Sequence, residues 1–225
     1  MKELPGIEKI KLEKIKEEII GWALRLYEKD FLASADGNLS VRVDGNYILI
    51  TASGVHKGFL SYNDFALMDI SGEVINGNPS GEREMHLAIY RQVPEAQAVI
   101  HAHPPHAIAW SIAAPELSEL PKECLSELIL ACGSVPVVPY ARPGTSQMGQ
   151  NVCRYVPDHK AMILSRHGAL TWGETLFEAF CAMERLEHSA KILLLAKTIG
   201  PLSPLPKEEV LELQQMRHRI GNRIL

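Results

Sequence analysis

A chain of 225 residues with 46% hydrophobic content is long enough for one large domain with a sizeable core. Lys and Arg number 23 against 27 Asp and Glu, and a pI near 6.1 leaves no basic footprint for a nucleic-acid partner. Cys124, Cys132, Cys153 and Cys181 form no Cys-x-x-Cys pair, Met1-Lys2-Glu3 opens no apolar signal region, and no apolar run reaches membrane-spanning length. A cytoplasmic protein with reduced thiols, no nucleic acid and no membrane partner is therefore expected.

Leu12, Ile15, Ile19, Trp22, Ala23 and Leu26 recur at helical spacing among Lys and Glu, predicting an amphipathic helix over about residues 7–29. A polar loop, residues 34–40, follows. Residues 41–43 and 47–51 flank Asp44-Gly45-Asn46, which reads as a β-hairpin. After a second glycine-bearing loop (51–58), residues 65–70 and 73–75 around Ser71-Gly72 form another short strand pair. Residues 76–81 are rich in turn formers, and a helix runs from 82 to 92, ended before Pro94.

Next, Ala98-Val99-Ile100 runs straight into His101-Ala102-His103. Side chains two apart on a strand share a face, so both imidazoles can converge on one point. Pro104 stops the strand, and an apolar helix over 106–114 leads away. Two imidazoles at a strand end suit a borderline cation with nitrogen ligands, yet two ordinary polar residues there would look the same. Residues 115–134 read as a helix, and 135–140 as a strand interrupted by Pro136 and Pro139. Past the turn Arg142-Pro143-Gly144-Thr145, a helix from 146 carries Val152 and Tyr155. Residues 161–165 form a buried strand leading to His167-Gly168. The clearest helix spans 175–198, and Pro201, Pro204 and Pro206 separate it from a short charged final helix. With no repeat or linker, residues 1–225 are expected to form one α/β layered domain around a largely antiparallel sheet.

His167 repeats the geometry of the first pair, and a third imidazole would complete a three-nitrogen set with an open position. Glu82 opens a helix. An acid there usually serves the helix dipole, but beside a divalent cation it could be a fourth ligand or a general base. Glu84 and His86, on the same helix, are either solvated or support the site from behind. Gly37-Asn38, Ser53-Gly54 and Ser80-Gly81 each offer backbone N–H groups with little steric cover. Singly these are ordinary turns; together beside a metal they imply a phosphorylated small substrate.

Taken in order, Gly37-Asn38-Leu39-Ser40, Thr51-Ala52-Ser53-Gly54, Ser80-Gly81-Glu82, His101-Ala102-His103, Tyr140 with Pro143-Gly144-Thr145, and His167-Gly168-Ala169-Leu170 resemble the class II aldolase/adducin family across nearly the whole chain. Within it, the chain resembles the fuculose-phosphate aldolase branch. The resemblance implies a three-layer α/β/α fold and a C4 homotetramer with active sites between subunits. It implies that His101, His103 and His167 bind a divalent metal, usually Zn2+ and sometimes Mn2+ or Co2+, and that Glu82 is the acid/base that also touches the metal at rest. By the same resemblance Asn38, Ser53, Gly54, Ser80 and Gly81 take the substrate phosphate, and Tyr140 handles a hydroxyl proton from a neighbouring subunit. An alternative reading makes Tyr140 a buried structural residue. Gly81 departs from the branch's Ser-Ser-Glu, so one hydroxyl contact is replaced by a backbone N–H.

The implied activity is cleavage of a short ketose 1-phosphate of the fuculose, rhamnulose or 5-deoxyribulose type to dihydroxyacetone phosphate and an aldehyde, through a metal-stabilised enediolate. A ribulose-5-phosphate 4-epimerase would carry an Asp in residues 115–134, where this chain has none. A methylthioribulose-1-phosphate dehydratase would use the same ligands, but the stretch 138–145 is more aldolase-like. An adducin-like scaffold would have lost ligands that are all present here. The tail, 201–225, lacks the tyrosine that often closes the aldolase site, leaving Arg217, His218 or Arg219 as substitutes or as a basic helix end. His56 and Lys57 are either phosphate neighbours or loop charges.

Overall fold

The structure is a computed structural model and describes residues 9–221. Helix α1 (Lys9–Glu28) buries Leu12, Ile19, Ala23 and Leu26, the stripe its periodicity marks out. A meander of β1 (Asn38–Asp44), β2 (Tyr47–Thr51), β3 (Phe65–Asp69) and β4 (Val74–Asn76) follows, and then α2 (Arg83–Gln92). Strand β5 (Ala98–Ala102) returns to pair with the free edge of β1, and α3 (Pro105–Ala113) leaves it. The remaining elements are α4 (Ser126–Cys132), β6 (Val137–Val138), α5 (Ser146–Val152), β7 (Ala161–Leu164), β8 (Gly168–Gly173), α6 (Leu176–Ile199) and α7 (Lys207–Ile220).

One eight-stranded sheet has the order β4-β3-β2-β1-β5-β8-β7-β6, antiparallel at every pairing except β6–β7. Alternation along the strands feeds two separate cores. Leu49 and Ile100 pack with Leu26, Trp110, Met183 and Leu186 of α1, α3 and α6. Ile48, Ile50 and Val99 pack with Met85, Leu87 and Ile89 of α2 and with Met148 and Val152 of α5. Helices therefore cover both faces of the sheet, as a three-layer α/β/α fold requires. His101, two residues beyond Val99, falls on the α2 side.

Several elements differ from the sequence reading. Strand β1 starts at Asn38, because antiparallel pairing with β5 draws in polar residues read as loop. Residues 115–134 are not one helix: Pro115 and Pro121 lack N–H donors, and only a 3-10 turn (Lys122–Cys124) and α4 form. Pro136 and Pro139 trim the predicted 135–140 strand to the two residues of β6. Helix α5 ends at Val152, so Tyr155 lies beyond it. Strand β8 was missed altogether. It is buried on both faces, so it carries no period-2 alternation. The first residues of the predicted 7–29 helix lie outside the described residues.

Candidate active site

The register of the central strands builds the site. Asn38 pairs with His101, and His101 pairs with Leu170 of β8, so the turn between β7 and β8 lies against the end of β5. His167 sits in that turn, its N–H donating to Leu164 O at 3.1 Å. Gly168 makes the approach possible, since a Cβ there would lie 2.8 Å from His101 Cε1 and 2.9 Å from His103 Cδ2. The three rings come within 4.8–5.1 Å, centroid to centroid. Their candidate ligand nitrogens all lie within 4.8 Å of one another.

The hydrogen bonds around the rings set which nitrogen faces the centre. His101 Nδ1 donates to Ala169 O at 2.9 Å, leaving Nε2 with its lone pair inward. His103 Nδ1 lies 3.2 Å from the Asp36 carboxylate, which directs its Nε2 inward as well. The two Nε2 atoms face each other at 3.2 Å. Burial, then neighbouring His101, pushes His103 down to about 4, so its ring is neutral at neutral pH. Two inward lone pairs at that spacing are what a shared cation accepts. The Nδ1 of His167 is buried with no hydrogen-bond partner among the described residues, and a cation on Nε2 would settle its tautomer. The donor set thus fits a divalent metal with nitrogen ligands.

Glu82 occupies the N-cap position of α2 but makes no side-chain cap hydrogen bond. Instead its Oε1 lies 3.1 Å from His167 Nε2 and its Oε2 3.3 Å from His101 Nε2. Burial alone would raise its pKa. Hydrogen bonds and charge from His101 and His167, with those rings protonated, would outweigh burial and hold it well below the usual carboxylate range. Its carboxylate is thus turned to the imidazoles and not to the backbone N–H groups of α2.

Behind Glu82 runs a fully directed chain of hydrogen bonds. Asn38 Nδ2 donates to Glu82 Oε2 at 3.1 Å, which leaves Asn38 Oδ1 to accept from His86 Nε2. His86 Nδ1 then accepts from the Ser40 hydroxyl at 2.7 Å, and Ser40 accepts from Tyr90 OH at 2.9 Å. His86 is buried, and desolvation pushes it down to about 3, so it is a neutral Nε2–H tautomer and not a solvated residue. Glu84 is half-exposed near Arg91 instead.

The proposed phosphate residues gather at the same end of α2. An antiparallel bridge between Ala52 and Pro79 ties the Ser53-Gly54 loop to the segment that leads into Ser80, with Ser53 N–H donating to Asn78 O at 3.0 Å. Ser80 Oγ accepts from Glu82 N–H at 3.3 Å, and Gly81 has open space where a Cβ would be. Gly144 comes near, a Cβ there lying 3.8 Å from Gly81 O. Tyr140 is 57% exposed, which overturns the buried structural reading. Its neighbours Pro139 and Ala141 line a narrow cleft with Ser165 and His167. In the tail, Arg217 donates to Leu130 O and Ala131 O at the end of α4, and Arg219 pairs with Glu212, so within one chain both are committed away from the histidines.

Residues 17–194 match the family model described as Class II Aldolase and Adducin N-terminal domain. The chain belongs to this family. Within the class II aldolase and adducin family, it is 31% identical over 185 residues to a 3-oxo-tetronate 4-phosphate decarboxylase of Pectobacterium atrosepticum, covering 81% of this chain and 85% of that one. An L-fuculose phosphate aldolase of Methanococcus vannielii is 35% identical over 167 residues, 74% of this chain and 88% of its own. A solved L-fuculose 1-phosphate aldolase, 32% identical, matches 90% of this chain and 95% of its own with a TM-score of 0.80. The four thiols are unpaired, and no described helix is long and apolar enough to cross a membrane.

The sequence reading missed Asp36, Ser40 and Tyr90. Asp36 gives no signal in a polar loop, whereas the four-residue spacing of Glu82, His86 and Tyr90 along α2 already puts the three on one helix face.

Proposed function

We propose that the chain is a metal-dependent lyase that cleaves a short ketose 1-phosphate of the fuculose, rhamnulose or 5-deoxyribulose type to dihydroxyacetone phosphate and an aldehyde. One observation carries this reading: three imidazoles from two separate strand ends meet beside the Glu82 carboxylate. His101, His103 and His167 would hold the ion, Zn2+ before Mn2+ or Co2+, with Glu82 as a fourth donor at rest. When bound, the ion supplies Lewis-acid neutralisation of the negative charge that builds on the substrate's carbonyl and hydroxyl oxygens. Asn38, Ser53, Gly54, Ser80 and Gly81 anchor the phosphate and so fix which bond is presented. Breaking C3–C4 leaves the electron pair on C3 as an enediolate, and Glu82 exchanges the proton at that carbon. Tyr140 handles the C4 hydroxyl proton from a neighbouring subunit of a cytoplasmic homotetramer, and its exposure supports a role reached across subunits.

A second reading is favoured by the relatives named as 3-oxo-tetronate 4-phosphate decarboxylases. Loss of CO2 from such a substrate leaves the same dihydroxyacetone phosphate enediolate. It uses the same phosphate, the same charge on two oxygens and the same returning proton. The two reactions differ only in the fragment that departs, and decarboxylation needs no acceptor for a hydroxyl proton.

A panel of ketose 1-phosphates and 3-oxo-tetronate 4-phosphate, with dihydroxyacetone phosphate release measured on each, tests both readings. Release from a ketose 1-phosphate is expected, and release from the oxo acid alone would establish the decarboxylase. No release from any of them would remove the lyase assignment.

The geometry at Asp36 also gives an expected result. Asp36→Ala should weaken divalent-metal binding by about 10- to 100-fold while leaving the fold intact, because the carboxylate is half-exposed and holds the His103 ring. Competition with a chromophoric chelator measures it, and an unchanged affinity would show that His103 needs no such partner.

A further inference from the structure

Lys57 is 2% exposed, an unusual place for an ammonium. The residues around it explain how it is turned inward. His56-Lys57-Gly58-Phe59 forms a single 3-10 turn, with Gly58 N–H donating to His56 Nδ1 at 3.1 Å and Phe59 N–H to His56 O at 3.1 Å. Gly58 lies flat against Tyr27, where a Cβ would approach Cγ to 2.6 Å. The rings of His56 and Phe59 pack against Tyr27 at 5.2 and 5.7 Å, so this turn is held by its neighbours and Lys57 is left facing the protein.

Its ammonium donates to Ala35 O at 2.9 Å and to Val55 O at 2.6 Å. Ala35 precedes Asp36-Gly37-Asn38, and Val55 follows Ser53-Gly54. One cation therefore joins the two glycine loops that carry the anion-binding residues. An ammonium has three donors, and the third has no hydrogen-bond partner among the described residues. Asp36, Glu82 and Asp64 supply nearby negative charge, yet burial still pulls the lysine below its usual pKa. Its hydrogen-bond partners among the described residues are neutral carbonyls and not carboxylates, and buried charge is costly unless compensated. A dianionic phosphate between the two loops would compensate it.

We propose that Lys57 is the buried cation of the anion pocket, clasping the loops of Asn38 and of Ser53-Gly54 and setting the positive potential that a substrate phosphate meets. This rests on the phosphate reading given above. It makes Lys57 a positioning residue: it need not touch the phosphate, and it orders the groups that do.

The test uses inorganic phosphate as the probe and calorimetry on the full-length, metal-loaded protein. Lys57→Gln keeps amide donors for the two carbonyls but removes the charge. It is expected to weaken phosphate binding about 10-fold or more, the loss of one charge-assisted contribution. Metal content should stay at the wild-type level, and KM for a phosphorylated substrate should rise with little change in kcat. Asn38→Ala serves as the pocket control. If Asn38→Ala loses phosphate and Lys57→Gln does not, Lys57 only holds the loops and the proposal falls. If neither variant loses phosphate, the phosphate pocket itself is misplaced. Should Lys57→Gln fail to fold, phosphate titration of wild-type protein labelled with 13C-lysine decides. The Lys57 Cε resonance is expected to move with saturation, and a stationary resonance overturns the proposal.

Discussion

His167→Ala is expected to strip the divalent ion from the purified protein and lower lyase turnover by about 1,000-fold or more, while the melting temperature stays close to that of the apo wild type. The size follows from the several kcal/mol that Lewis-acid neutralisation contributes, at about 1.4 kcal/mol per tenfold in rate. Folding should be spared for a local reason. The ring sits in a turn, and its Nδ1 has no hydrogen-bond partner among the described residues to leave stranded. His101 is a worse choice, being fully buried with a hydrogen bond to Ala169 O that its removal would orphan. Metal analysis of variant and wild type checks the prediction, with about one ion per chain expected in the wild type. Wild-type protein that folds normally and takes up no ion when supplied with one would remove the metal site, and with it the enediolate chemistry.

Glu82→Gln is expected to separate metal from chemistry. The three imidazoles remain, so the ion should stay. The amide cannot take a proton, so exchange of the dihydroxyacetone phosphate C–H with solvent should fall by about 100- to 10,000-fold. The change is nearly isosteric, and Asn38 Nδ2 keeps an oxygen to donate to if the new amide turns its carbonyl that way. Exchange followed by NMR in deuterated water is the readout. Exchange persisting at the wild-type rate would transfer the acid/base role to a different side chain.

These two expectations draw on parts of the chain that differ in how legible they were. His101-Ala102-His103 could be read directly, because a strand of period 2 ending at a proline leaves few other conformations. Glu82 could be placed at the head of a helix, but not aimed. Whether its carboxylate capped α2 or turned to the imidazoles was decided by the Asn38–His86–Ser40–Tyr90 chain behind it, whose members span residues 38–90. The same holds for Lys57, where a loop charge and a buried clasp look identical until Tyr27 and Gly58 are seen packed together. Strand β8 was invisible for the opposite reason: a central strand covered on both faces loses the alternation that marks an edge or one-sided strand.

Local chemistry along the chain determined the amphipathic helices, the hairpins, the residue types fit for a divalent ion and the glycine loops fit for an anion, because each depends on neighbours within a few residues. Only the tertiary structure decided that β8 lies between β5 and β7, and so brings His167 to the two histidines 64 and 66 residues before it. Strand pairing is a long-range choice made by burial on both faces of the sheet. No window of sequence holds the partners whose packing settles it.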